Sequence, residues 1–193
     1  MIPDQLLRDA VLPGLQAQAG LRHAYAGRTA AGDAGHRLVA SIWEFRDDEG
    51  VVPPPDLATL FGFEQIAEVA DVTLEVIPLA VALPFVLPEE PRILRVFRGQ
   101  TRPGELDAYV QAARAGSYEK VMAKHGPAPL FLGAQPPDRF VTVSVWTAWD
   151  NIEAATGGNV REPISTRHAQ LLVSGDAVHY EIVPDSFGGP EVP

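Results

Sequence analysis

Alternating and helically spaced apolar positions divide the chain into short segments of both kinds. Residues 92–98, RILRVFR, are a run of branched and aromatic side chains that predicts a strand. Pro103-Gly104 turns into a stretch where Leu106, Tyr109, Val110 and Ala113 fall at helical spacing. Gly116 interrupts it. Tyr118, Val121, Met122 and His125 then share one face of a second short helix, which Gly126-Pro127 ends. Strands are predicted near 129–134 (PLFLGA) and over 140–146 (FVTVSVW). Pro163 suits the first turn of a further helix with the stripe Ile164, His168, Leu171 and Leu172. Gly175 closes that helix, and 177–183 (AVHYEIV) is the last strand. Strand–helix–strand–strand–helix–strand is the order of the split βαβ, ferredoxin-like unit.

The first half repeats this plan. RLVASIWEFRD at 37–47 matches FVTVSVWTAWD at 140–150 at an offset of 103, aligning Ser41 with Ser144, Trp43 with Trp146 and Asp47 with Asp150. VTLEVIP at 72–78 matches VHYEIVP at 178–184 at an offset of 106, and PDQLLRDAV at 3–11 lies opposite PGELDAYVQ at 103–111. The first copy reads as helix 4–19 with a Pro13-Gly14 kink, strands 21–26 and 37–45, helix 56–68 and strand 72–77. Its leading strand is missing, and the apolar run at 79–87 is the segment available to fill the slot. The fold class expected is therefore α+β, two tandem ferredoxin-like units with antiparallel sheets packed into one α+β barrel. The first unit spans 1–85 and the second 91–185, joined by the Pro-rich VLPEEP at 86–91, with a tail at 186–193.

Composition narrows the partners. A net charge of −10 with lysine only at 120 and 124 leaves no basic run for a phosphate backbone, so nucleic acid is excluded as a partner. Cysteine is absent, which removes disulfides, thiolate nucleophiles and Cys-ligated metals. The greasiest stretch, 76–87, is 12 residues long and broken by Pro78 and Pro84, whereas a spanning helix needs roughly 20. No membrane association is expected, and without a basic, apolar leader at the N-terminus the expected location is cytoplasmic. The composition would still permit a homodimer through an exposed strand edge.

The helix ending in Gly20 before a strand, the Ser-x-Trp strand ends (Ser41–Trp43, Ser144–Trp146) and the closing VHYEIVP strand resemble the dimeric α+β barrel, in particular its antibiotic-biosynthesis-monooxygenase-like group. The resemblance covers nearly the whole chain as two tandem copies. It implies two units packed sheet against sheet, here supplied by one chain, with a pocket between the sheet and helices of one unit. The group includes cofactor-free oxygenases of phenols and quinols and haem-degrading enzymes. Haem degraders use an Asn on the first strand with a Trp and a His. Trp146 and His168 are present, but strand 92–98 holds no Asn, so haem binding ranks third.

The resemblance thus implies a small aromatic or planar ligand, no cofactor, and catalysis by His168 with Trp146. His168 would deprotonate a phenol so that it reacts with O₂ directly, while Trp146 and Tyr118 hold the ring. Tyr118, Met122 and His125 are the expected ligand-binding set at the pocket mouth. Each has a structural alternative: a half-buried histidine bonded to a carbonyl, a Trp filling the core of both copies, a helix-end histidine serving the macrodipole. Equally open is a protein without catalysis that binds a small ligand or serves as an oligomerisation module. His23, His36 and His179 lack short ligand spacing, so no metal is expected. GRTAAGDAG at 27–35 lacks the ending of a phosphate loop and reads as a hairpin loop, and TGGN at 156–159 reads as a connector. Glu75 and Glu181, at equivalent strand positions, predict a symmetric salt bridge or barrel-end contact.

Overall fold

A computed structural model of the chain describes residues 4–16, 21–30, 37–43, 75, 77–82, 90–125, 130–164 and 166–188. The fold is α+β, with antiparallel strands and few helices. The chain divides into two compact units, Met1–Leu74 with Tyr180–Pro193, and Glu75–His179.

In the first unit, α1 (Asp4–Leu6) passes through a wide turn, Leu7–Val11, into α2 (Leu12–Gln16). Strands β1 (Leu21–Thr29) and β2 (Arg37–Trp43) form an antiparallel hairpin. The far half of the last strand of the chain, β7 (Leu172–Gly188), pairs with the other side of β1. Leu12, Leu15, Leu21, Ala24, Tyr25, Ile182 and Val183 are buried there. Asp4 receives Arg37 at 3.0 Å, and Arg28 meets Glu181 at 3.0 Å.

The second unit carries the longer sheet. Its strands run β7–β4–β6–β5–β3, with β3 at Leu79–Ala82, β4 at Ile93–Thr101, β5 at Leu130–Gln135 and β6 at Arg139–Trp146. Pairings β4–β6, β6–β5 and β5–β3 are antiparallel. The helices are α3 (Leu106–Ala112), α4 (Tyr118–His125) and α5 (Trp149–Thr156). From β4 to β7 the order is strand, two helices (α3 and α4), two strands, helix (α5) and strand. Alternation on β4 places Ile93 and Phe97 on the helix side, where they join Leu106, Tyr109, Val110, Tyr118, Trp146 and Ile152 in one apolar core. Among the described residues no helix is long and apolar enough to cross a membrane.

Two sequence expectations are corrected. Residues 163–174 are not a helix. Turns lead to a single 3₁₀ turn at Ala169–Leu171, and β7 starts at Leu172, with Leu171 O already accepting the Arg102 N–H at 2.8 Å. The helix of this region lies earlier, at Trp149–Thr156. Gly157 in the left-handed conformation (φ 78°) caps it, so TGGN is a helix stop as well as a connector. The apparent stripe arises because Ile164, Leu171 and Leu172 reach the same core from turn and strand. Secondly, the described part of the apolar run at 79–87 does not supply a leading strand to the first unit; residues 83–87 lie outside the described residues. Leu79–Ala82 pairs with β5 in the second, where the outer edge of β5 is open and Ala134 N–H donates to Pro78 O at 3.0 Å. The expected helix 56–68 lies outside the described residues, as does most of strand 72–77.

Each unit contains a close backbone approach at a glycine. A Cβ on Gly27 of β1 would lie 2.7 Å from Tyr180 Cβ, and one on Gly133 of β5 would lie 2.6 Å from Ile77 Cγ2. Both contacts are tighter than packing allows. Gly27→Ala and Gly133→Ala should each cost about 1–3 kcal/mol of unfolding free energy, measured by urea titration. Either variant unfolding at the parental midpoint would show that these approaches are not tight.

Candidate functional site

On β4 the sequence Ile93-Leu94-Arg95-Val96-Phe97 alternates, so Arg95 points to the helix side between two core residues. It is 1% exposed. Its Nε donates to Val160 O at 3.3 Å and its Nη2 to Glu162 O, both on the loop after α5. The guanidinium carbon lies 5.2 Å from the centre of the Phe97 ring. Among the described residues no carboxylate forms an ion pair with it. Burial lowers its pKa to about 10, opposed by the fields of Tyr118, Tyr109 and Asp176, so it stays charged at neutral pH. A buried cation without a counter-ion costs several kcal/mol, which carbonyl dipoles and a ring face offset only in part.

Two tyrosines face this cation. Tyr109 on α3 and Tyr118 at the start of α4 hydrogen-bond through their hydroxyls, with ring centres 6.4 Å apart edge to face. Gly116 makes this meeting possible. Its φ of +84° breaks the helical path inside the wide turn Ala113–Ser117, so α4 sets off in a new direction from Tyr118. Tyr109 also packs on Phe140 at 4.5 Å. Burial pushes the Tyr109 pKa up to about 12. Tyr118 is raised well above the ordinary phenol range by burial and then by Tyr109. Both hydroxyls are neutral at physiological pH.

His179 completes the group from β7. It is 8% exposed, and its Nε2 is buried without a hydrogen-bond partner. Burial lowers its pKa to about 4, assisted by Arg95 and opposed by Asp176. The ring is therefore a neutral imidazole with an unused nitrogen. Trp149, the first residue of α5 and partly exposed, lies 5.0 Å away ring to ring. Asp176 is held by Arg161 through two hydrogen bonds, one of 2.8 Å to Oδ1.

The residues singled out from sequence fall as follows. Trp146 is 1% exposed and donates its indole N–H to Ser144 Oγ at 2.8 Å. It shares the core with Tyr118. His168 is half-buried on the turn before Ala169–Leu171, where its Nε2 accepts from Arg167 Nε at 3.1 Å. Among the described residues no hydrogen bond or ring contact joins His168 to Trp146 or Tyr118. Met122 and His125 belong to α4, but their side chains lie outside the described residues. Glu75 and Glu181 each form the expected type of ion pair, with Arg98 at 3.1 Å and Arg28 at 3.0 Å. Sequence reasoning missed Arg95, Tyr109 and His179 as polar members of the interior. The signal for Arg95 was a charge at an inward position of an otherwise apolar strand face. Among the described residues no three His, Asp or Glu side chains converge as a metal site.

No protein-family model matches the chain, and no curated protein matches it. Its fold is similar to a crystal structure, at 1.55 Å resolution, of a "putative monooxygenase" from Lactobacillus acidophilus NCFM. The two share 14% identity at a TM-score of 0.64, over 96% of this chain and 87% of that one. The likeness is one of fold.

His179 links the site to stability. Its folded pKa of about 4 lies below the ordinary 6.5, so the unfolded chain binds more protons between these values. Stability should be fully present above pH 6.5 and fall as the pH drops toward 4. Allowing for residual solvent screening, about 1–2 kcal/mol should be lost between pH 7 and 5. Urea midpoints at the two pH values check this, and His179→Gln should remove that share of the difference.

Proposed function

We propose that the sheet–helix interior of the second unit binds a small planar aromatic molecule with an acidic hydroxyl, and that the protein is a monooxygenase-like enzyme needing no cofactor. The observation that carries this reading is the buried Arg95, which has no carboxylate partner among the described residues, near a neutral imidazole with an unused nitrogen. A phenol entering there supplies what the cluster lacks. As the phenolate forms against the Arg95 guanidinium, its charge offsets the cation that assists burial in depressing the His179 pKa, and this restored basicity lets the hydroxyl proton pass to His179 Nε2. The Tyr109–Tyr118 pair can turn one hydroxyl to the same oxygen, and the Trp146 face holds the ring.

In this reading the phenolate is electron-rich enough to react with O₂. One oxygen atom stays on a ring carbon, and the other leaves as water with the two hydrogens lost from the substrate. The substrate supplies the electrons. His168, the base first indicated by sequence, is the competing assignment for the proton acceptor.

The repeats in sequence support a tandem origin for the two units. The segment that closes the first copy runs on into β3 and pairs with β5 of the second unit, while the segment that closes the second copy runs on along β7 and pairs with β1 of the first. Glu75 and Glu181 at equivalent positions each meet an arginine, and Gly133 and Gly27 each admit a crossing segment. We read the chain as two ferredoxin-like copies of one ancestral unit. A second reading, ligand binding without catalysis, is favoured by the internal satisfaction of Trp146 by Ser144 and of the two tyrosines by each other.

The test uses a coloured phenol, 4-nitrophenol, and a panel of phenols and quinols under O₂. Binding should lower the apparent pKa of 4-nitrophenol and bring up its yellow phenolate absorption at a pH where the free dye is colourless. Oxygen uptake with a turned-over phenol should fall on the order of 100-fold in His179→Gln and stay near the parental rate in His168→Ala. The reverse pattern moves the base to His168. Phenolate binding without oxygen uptake across the panel would leave the binding reading in place of the enzyme.

A further inference from the structure

Away from the Arg95 cluster, the second unit has a polar cavity of about 270 Å³ where β4, β5 and β6 come to an end. Its polar side chains are Glu75, Arg98, Gln100, Gln135, Arg139 and Ser174. The register explains the convergence. Arg98 and Gln100 are two apart on β4 and share a face, and Arg139 lies directly across from Gln100 and also from Gln135.

The partners of these groups define what is left over. Glu75 is taken up by Arg98 at 3.1 Å and by Gln135 Nε2 at 3.3 Å. Gln100 Nε2 donates to Asp138 Oδ2 at 2.9 Å. Both amides are thereby oriented, leaving Gln100 Oε1 and Gln135 Oε1 as acceptors. Among the described residues the Arg139 guanidinium makes no ion pair or hydrogen bond, and the Ser174 hydroxyl makes none. The cavity thus offers one uncommitted cation, two oriented carbonyl acceptors and a hydroxyl.

We propose that this cavity is a second small-molecule site, which takes a small hydroxylated anion. The carboxylate or phosphate end would pair with Arg139, two hydrogen bonds at a time where geometry allows. Hydroxyl groups along the rest of the ligand would donate to Gln100 Oε1 and Gln135 Oε1 and meet Ser174. The volume lies near the lower end for small-molecule sites, and the polar lining suits a ligand that keeps its hydroxyls.

Calorimetric titration of the full chain with gluconate, glycerol 3-phosphate and uncharged glucitol tests the site. Saturable binding of either acid, with none of glucitol, is expected. Binding by one acid alone identifies the anionic group. Arg139→Gln should weaken it about tenfold, with partial rescue in Arg139→Lys. Glu75→Gln should tighten it severalfold, because that change also frees Arg98 for the anion. Both substituted residues are exposed at the rim, and thermal unfolding at the parental temperature confirms that the variants fold. No saturable binding of either acid, or equal affinity in Arg139→Gln and Glu75→Gln, overturns the proposal. Neither result depends on phenol binding at Arg95.

Discussion

The interior of the second unit is organised around a positive charge. Arg95 enters from β4 at a position where the pleat leaves no route to water, and it is held by two carbonyls of the loop after α5 and by the face of Phe97. Desolvating a guanidinium is expensive, and carbonyl dipoles return only part of that cost. Its neighbours follow from this constraint. The tyrosine pair stays neutral with its hydroxyls bonded to each other, His179 stays neutral as well, and Asp176 is tied to Arg161 at the surface. A protein selected for stability alone would place a leucine at residue 95. In the proposed reading, the anion that balances this charge is supplied by the ligand.

Much of the fold is legible in the sequence because its strands carry clear alternation. RILRVFR and FVTVSVW become β4 and β6 within a few residues of their expected ends, and Gly116 redirects the helix as its conformational freedom suggests. The error over 163–174 has a physical source. Ile164, Leu171 and Leu172 satisfy helical spacing, yet they reach one core from a turn and a strand. Tertiary packing produced a periodicity that local structure does not have. The true helix at Trp149–Thr156 is short, and its stop signal, Gly157-Gly158, resembled loop composition.

The site was harder to read than the fold. That Trp146 and Tyr118 face the interior is legible, because large aromatics at inward positions announce themselves. His168 was favoured for a helical stripe that does not exist, and His179 was set aside for lacking metal-ligand spacing, although its alternation with Ala177 placed it inward. The pairing of Tyr109 with Tyr118 depends on the change of path at Gly116, which spacing alone does not give. Arg95 was overlooked, although a charge at an inward position of an apolar strand is a readable signal. That no carboxylate among the described residues partners it is a three-dimensional fact.

The most direct measurement replaces the charge by an apolar side chain of similar length. Arg95→Met removes the desolvation cost, while the carbonyls it leaves lie on partly exposed residues, Val160 and Glu162, that water can reach. Unfolding free energy and phenolate binding are measured on the same preparation. The account predicts a variant at least as stable as the parent that no longer stabilises a bound phenolate. A variant that loses several kcal/mol of stability while still binding phenolate would make Arg95 a structural residue and contradict the account.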